Sequence, residues 1–388
     1  MITKIYNGKV IIEKEISENT SVYIKNGKII AVTGEELPFD ASIDAEGNYV
    51  SPGFIDTHVH GGAGYEFVDA TKEAILKASE IHAMNGTTTI YPTISAYEYD
   101  KTVKALEVLK NYSADAMPNI YGCHLEGPYF SHMQTGAQDP SFIRTPDKDE
   151  YNKLYELYGD IIKKWSYAPE LEGADKFTEF LSEKGIVASA GHTDAIYDDM
   201  LVAYEKGLRL VTHIYSCTST ITRKGGFRRL GVIETAFLLD DIDVETIADG
   251  CHLPPELLKL VYKIKGDDHM CLVTDAIRYG GLTDIDNTIF DKGNISYIIE
   301  DGVAKLSDRS AFAGSIATTN RLVSVCVKKV GIPLVSAVKM ITEVPARIMK
   351  LDNKGSIKSG YDADIVIFDD DINVKYTIVN GKVVCKND

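Results

Sequence analysis

At 388 residues and a formal net charge of −16, the chain is repelled by nucleic acid and by anionic membrane surfaces, which argues against both as general partners. With 44% hydrophobic and 25% charged residues, it has the balance of a globular protein long enough for one large barrel or for two domains. No apolar run approaches the ~20 residues of a membrane-spanning helix. Residues 1–8 read as a strand and turn, not a signal peptide, and six scattered cysteines without a Cys-x-x-Cys pair fit reduced thiols in the cytoplasm.

Residues 1 to about 50 read as all-β. Two apolar runs flank Asn26-Gly27, a hairpin signal because both residues tolerate the left-handed backbone of a two-residue turn. From Phe54 the rhythm changes. Strand-like runs at 54–60, 87–93, 119–126, 163–168, 186–192, 208–213, 244–249 and 270–275 alternate with amphipathic stretches such as 71–85, 173–184, 195–206 and 254–265. Alternation of this kind predicts an α/β fold, a (β/α)8 TIM-like barrel. Residues 276–312 read as an irregular insertion with a hairpin at 295–299 and 303–306, followed by helices near 316–330 and 333–350. The tail returns to β character at 355–368 and 377–384, again around an Asn-Gly. The predicted organisation is a small β-sandwich domain built from both chain ends, 1–52 plus 352–388, and a catalytic barrel over 53–351.

In such barrels the reacting groups sit at the C-terminal ends of the strands. Here those ends carry His58 and His60, Glu126, His192, His213, Asp249 with His252, and Asp275. Residues two apart on a strand share a face, so Asp56, His58 and His60 should point the same way. Two imidazoles leaving a strand end side by side can grip one metal ion. Imidazole and carboxylate ligands suit zinc or iron(II), not magnesium or calcium. Four histidines and Glu126 suffice for two divalent transition-metal ions if Glu126 bridges them. Asp275 is then either a further ligand or the general base for an attacking water.

The order of these motifs resembles the amidohydrolase superfamily, and more specifically the N-acetylglucosamine-6-phosphate deacetylase family. The likeness is carried by Pro52-Gly53-Phe54-Ile55-Asp56, His124-Leu125-Glu126-Gly127-Pro128, Ala168-Pro169-Glu170, Gly191-His192-Thr193, Thr212-His213, Ala248-Asp249-Gly250-Cys251-His252, Leu272-Val273-Thr274-Asp275-Ala276 and Ala313-Gly314-Ser315. The tail Gly360-Tyr361-Asp362-Ala363-Asp364-Ile365-Val366 is also similar to the superfamily's closing β segment. The resemblance spans nearly the whole chain. It implies metal-dependent removal of acetate from N-acetylglucosamine-6-phosphate or a close N-acetylhexosamine phosphate. It implies Glu126, His192 and His213 as metal ligands, with His58 and His60 offering a second site. Asp275 matches the family's general base and acid, and His252 the histidine that contacts the acetamido carbonyl. Ala137, Gln138, Ser216, Cys217, Ala313 and Gly314 are expected to touch substrate. The resemblance further implies a cytoplasmic homodimer.

Two stretches depart from the family pattern. The run His213-Ile214-Tyr215-Ser216-Cys217-Thr218-Ser219-Thr220 lacks the Asn-Ala-Met that usually follows shortly after this histidine and holds the phosphate end of the substrate, and Gln138 stands where a histidine is common. Lys224, Arg228 and Arg229, in the basic run 223–229, are either a solvated loop or a replacement phosphate clamp. An unphosphorylated acetamido sugar, the galacto epimer, or a cyclic amidase or deaminase reaction are the alternatives, beside a non-enzymatic barrel that has lost catalysis. His124 is expected beneath the site or in a structural role, His132 is read first as a loop residue and only second as a substrate contact, and His82 and His269 are expected at the surface.

Overall fold

The computed structural model describes residues 1–13, 15–115, 117–292 and 295–387. Its centre is a ring of eight parallel strands: Phe54–Val59, Thr87–Ile94, Cys123–Glu126, Ile162–Tyr167, Val187–Ala190, Leu210–Val211, Asp243–Ile247 and Met270–Val273. Each pairs with the next in sequence order. The ring closes where strand eight returns to strand one, through a parallel bridge between Val59 and Ala276 and an Asp275 N–H donated to the His58 carbonyl at 2.8 Å.

These runs become strands because β-branched and aromatic residues fit a pleated surface covered on both faces. All eight residues of strand two, Thr-Thr-Thr-Ile-Tyr-Pro-Thr-Ile, are buried. Pro92 is tolerated there because the register with strand one slips between Ile90 and Pro92, so the absent N–H breaks no regular ladder. The outer helices begin where the sequence caps them. Thr71 Oγ1 accepts the Ala74 N–H ahead of Lys72–Met84, Asp147 caps Lys148–Tyr158, and Pro255 opens Pro255–Lys265. Helix Ala174–Glu183 drives Phe177 edge-on against Trp165, Tyr129 and Tyr167, at ring separations of 5.1, 5.1 and 5.2 Å. Such contacts are worth roughly 0.5–1.5 kcal/mol each beyond the area they bury.

The chain ends meet in two further sheets. One orders Lys382–Lys386, Val374–Val379, Ile365–Phe368, Tyr49–Pro52, Lys9–Ile12 and Glu15–Ser17; the other orders Lys28–Thr33, Ser21–Lys25, Ile2–Tyr6 and Ala41–Asp44. Val10, Val22, Ile24, Val50, Ile365 and Ile378 share the core between them. Both Asn-Gly pairs form the expected turns, with positive φ at Asn26, Gly27, Asn380 and Gly381. The insertion gains a third strand, Ile289–Lys292, beside the predicted hairpin. The helix expected over 333–350 is two, Leu334–Ile341 and Glu343–Ile348, broken at Thr342, two residues after which Val344 precedes the helix-restricting Pro345.

Strand Tyr49–Pro52 runs directly into barrel strand one through Gly53. A β-carbon on Gly53 would overlap the Thr88 side chain of strand two. Gly53→Ala should therefore destabilise the protein by about 1–3 kcal/mol, the usual cost of overpacking a filled core. Denaturant unfolding monitored by Trp165 fluorescence measures it, and an unchanged midpoint would mean the strands can part at no cost.

Candidate metal centre and active site

The strand ends deliver six ligand-type side chains to one place. His58 and His60 come from strand one and the residue after it, Glu126 from the last position of strand three, and His192, His213 and Asp275 from just beyond strands five, six and eight. Glu126 lies at the centre and is 2% exposed. Its Oε1 is 3.3 Å from His58 Nε2, 3.3 Å from His192 Nε2 and 3.1 Å from His213 Nε2. Its Oε2 is 3.4 Å from His60 Nε2 and accepts the Gln138 amide at 2.8 Å. Asp275 Oδ1 stands 3.0 Å from His60 Nε2 and 3.3 Å from His58 Nε2.

Most of these separations are long for hydrogen bonds. They suit another purpose: two ligands about 2.0–2.1 Å from one tetrahedral zinc lie roughly 3.3 Å apart. Two groups gather within 4.8 Å, His58 with His60 and Glu126, and Glu126 with His192 and His213, and in both the imidazoles stand 3.1–3.4 Å from a Glu126 oxygen. His58 Nε2 is buried and has no hydrogen-bond partner, although it faces two carboxylates. Burial disfavours charge on His58, but Glu126, Asp275 and Glu245 outweigh it and push the ring up to about 10. Burial likewise opposes ionisation of Glu126 and Asp275. His58, with hydrogen bonds from His192 and His213, brings Glu126 well below the ordinary carboxylate range, and His58 and His60 bring Asp275 down to about 2. Two buried anions faced by imidazoles call for positive charge, and the donor set fits one or two divalent transition-metal ions.

Around this centre opens a cavity of about 780 Å³. Of the residues expected to touch substrate, Ala137, Gln138, Ser216, Cys217, His252, Ala313 and Gly314 line it. Gln138 is committed at both ends of its amide, donating to Glu126 and accepting the Ala96 N–H at 3.1 Å. Gly314 lies so close to strand eight that a β-carbon would sit 2.9 Å from the Asp275 carbonyl oxygen. His252 Nδ1 is 2.9 Å from Asp249 Oδ2, and Asp249 also accepts the backbone N–H groups of Cys251 and His252.

Lys224, Arg228 and Arg229 do not line this cavity. Gly225 and Gly226 turn the run into a short hairpin, Thr222–Lys224 with Phe227–Arg229, in which every residue is exposed and the cations are left to solvent. Lys101 is the one lysine or arginine among the lining residues described. Of the hydroxyls nearby, Thr218 accepts the Tyr215 N–H, Ser219 donates to the Ala195 carbonyl and Thr220 to Glu234, which leaves Ser216 facing the cavity. Asp56 does not join the metal-facing set: its carboxylate accepts from Thr274 N and Oγ1 and from the His58 N–H, tying strand one to strand eight. His124 lies between Thr93 Oγ1 and Ser166 Oγ, edge-on to His58 at 4.6 Å. His132 is exposed and does not line the cavity, whereas His82, expected at the surface, is buried with Nε2 2.8 Å from the Gly61 carbonyl. His82 ends a helix, but the turn after His60 folds over it. Sequence reasoning also missed Ser95, whose hydroxyl meets His60 Nδ1 at 3.1 Å. Its place just past strand two was the available signal.

A parallel barrel whose strand ends gather histidines and carboxylates is the arrangement of a metal-dependent hydrolase. The Amidohydrolase family model matches residues 49–384. An N-acetylglucosamine-6-phosphate deacetylase of Lysinibacillus sphaericus is 32% identical over 369 residues, 94% of this chain and 93% of that protein. Its counterpart in Bacillus subtilis is 32% identical over 383 residues, 96% of this chain and 95% of that one. The crystal structure of N-acetylglucosamine-6-phosphate deacetylase from Pasteurella multocida superposes with a TM-score of 0.93 at 29% identity, covering 100% of both chains. The chain belongs to the amidohydrolase family and, within it, to the N-acetylglucosamine-6-phosphate deacetylase family.

Metal loading should release protons. An ion at His58 must displace the proton that three carboxylates hold on the metal-free ring, so at about pH 8 at least one proton per chain should be released into buffer. Calorimetry of zinc binding in two buffers of different ionisation heat counts it. No release would mean that the metal-free His58 ring carries no proton at that pH or that no ion displaces it.

Proposed function

We propose that this enzyme hydrolyses the acetamide of N-acetylglucosamine-6-phosphate, or a close N-acetylhexosamine phosphate, to acetate and the amino-sugar phosphate. The observation that carries the reading is that Asp275 and His252 line one cavity floored by Glu126, His192 and His213, in a chain related to deacetylases over nearly its full length. Glu126, His192 and His213 would hold one ion, zinc or iron(II); His58, His60 and Glu126 would hold a second. Such ions acidify water toward neutrality and polarise the amide carbonyl.

The remaining roles belong to the chain itself. Asp275, held ionised by the imidazoles beside it, takes the proton of the attacking water and returns it to the leaving nitrogen. Asp249 is kept below its usual range by its hydrogen bonds from His252 and the backbone, against the opposing effect of burial. It orients the His252 ring by Nδ1, so the other ring nitrogen is presented to the carbonyl oxygen where negative charge develops. Ser216, Ala313 and Gly314 shape the pocket for the sugar. The division into 1–52 plus 352–388 and 53–351 is proposed likewise, supported by the shared core of the end-built sheets. A cytoplasmic homodimer fits the proposal; among the described residues, no helix is long and apolar enough to cross a membrane.

A second reading, an unphosphorylated acetamido sugar as substrate, is favoured by the single lysine of the cavity lining and by the hairpin arginines lying outside it. Acetate release from N-acetylglucosamine-6-phosphate, its galacto epimer and both unphosphorylated sugars decides between the two. Phosphorylated substrate is expected to give the highest kcat/KM, and faster turnover of the free sugars would replace the first reading by the second. Asp275→Asn should lower kcat by about 10²–10⁴-fold, the usual contribution of a general acid–base group. Retention of more than about a tenth of the wild-type rate, outside that range, would take the proton-transfer role away from Asp275.

A further inference from the structure

Beneath the metal-facing side chains lies a pair of charges that the proposed reaction does not use. Lys164, from strand four, and Glu245, from strand seven, form an ion pair with both side chains fully buried. Glu245 Oε1 also accepts from Thr57 Oγ1 at 3.3 Å, and its Oε2 lies 3.3 Å from His58 Nδ1. The other nitrogen of that ring is the one aimed at Glu126 and Asp275 without a hydrogen-bond partner. His58 is thus held from behind by a carboxylate while its free nitrogen points into the site.

Stripping a lysine and a glutamate of water is costly, and an apolar pair of similar volume would pack as well. The arrangement makes sense through the two nitrogens of histidine. A carboxylate that accepts from Nδ1–H fixes the ring as the tautomer whose Nε2 lone pair can bind a cation, and makes that nitrogen more basic. Alone, this carboxylate would be a third negative charge beside Glu126 and Asp275. Lys164 cancels it in place. Two of the other rings rest on neutral groups, His60 Nδ1 on Ser95 Oγ at 3.1 Å and His192 Nδ1 on the Gln134 carbonyl at 2.9 Å, while His213 Nδ1 is buried without a hydrogen-bond partner.

We propose that Lys164 and Glu245 are positioning residues for an ion at His58 and His60, fixing the ring and its tautomer while keeping the layer beneath the site electrically neutral. This rests on the two-ion reading above. The double variant Lys164→Met with Glu245→Gln removes both charges and leaves no unpaired charge. Zinc is titrated against a competing chelator into this variant, wild type and His58→Ala, with elemental analysis for stoichiometry and a thermal melt for the fold. Wild type should hold two equivalents and His58→Ala one. The double variant should keep the first equivalent unchanged and bind the second about 10–100-fold more weakly, as when such an outer partner is lost. Both equivalents bound at wild-type affinity would overturn the proposal and leave the two-ion reading standing. A wild type with one equivalent, undisturbed by His58→Ala, overturns the two-ion reading and the proposal with it. If the double variant does not fold, nitrogen-15 NMR of the histidines in zinc-loaded wild type decides, with His58→Ala for assignment. The proposal requires His58 protonated at Nδ1 and metal-bound at Nε2, and zinc on Nδ1 would refute it.

Discussion

Everything at the top of this barrel is arranged around one buried carboxylate. Glu126 presents one oxygen to three imidazoles and the other to a fourth, with Gln138 closing the remaining direction. A carboxylate in that position is tolerable only if positive charge surrounds it. The rings can supply it as protons or can share it as metal ligands. In the second case the same geometry that satisfies an electrostatic demand also assembles a catalyst. Below the floor, Lys164 and Glu245 cancel each other's charge, so that pair adds nothing to the demand for cations.

Placing the ligands has a backbone cost. His192, His213 and Asp275 have φ of 46°, 27° and 49°, in the left-handed region that residues with a β-carbon avoid. Such conformations cost of order 1 kcal/mol or more each and persist where the surroundings over-determine them. All three stand two residues beyond the end of a barrel strand. A regular strand would carry its next side chain up or down the pleat; a left-handed residue turns the chain and aims it inward instead. The closure of strand eight on strand one supports the third case, since the Asp275 N–H is fixed on the His58 carbonyl.

The barrel was legible because its strands are continuous apolar runs separated by helical ones, and all eight lie where that rhythm puts them. The candidate ligands were legible because they lie at the ends of those runs. What could not be read was anything that depends on approach between distant segments. The Lys164–Glu245 pair is of this kind, since only barrel closure brings together two residues 81 apart in sequence. Asp56 shares the His58 periodicity, yet the register slip against strand two and the proximity of Thr274 claim its carboxylate. His82 looked peripheral for the same reason, as no local pattern tells that the turn after His60 will cover it.

The contrast between floor and walls explains why reaction type is easier to read than substrate. The floor comes from strand ends that must coincide within tenths of an ångström, so its residue types are constrained by chemistry and by packing together. The walls come from the loops after strands three, six and eight, where only a few side chains face the cavity and the others secure the loop itself. The run 214–220 illustrates it. Three of its hydroxyls are consumed in holding the backbone, at Thr218, Ser219 and Thr220, and one, Ser216, faces the cavity. A loop built in this way keeps its shape when its cavity-facing residues, Tyr215, Ser216 and Cys217, change. The side chains of the altered segment are anchored on Ala195 and Glu234. Its backbone is tied to the floor, Ser216 N–H donating to the His213 carbonyl and Thr193 N–H to the Cys217 carbonyl. The segment after His213 is thus held by groups other than its cavity-facing side chains.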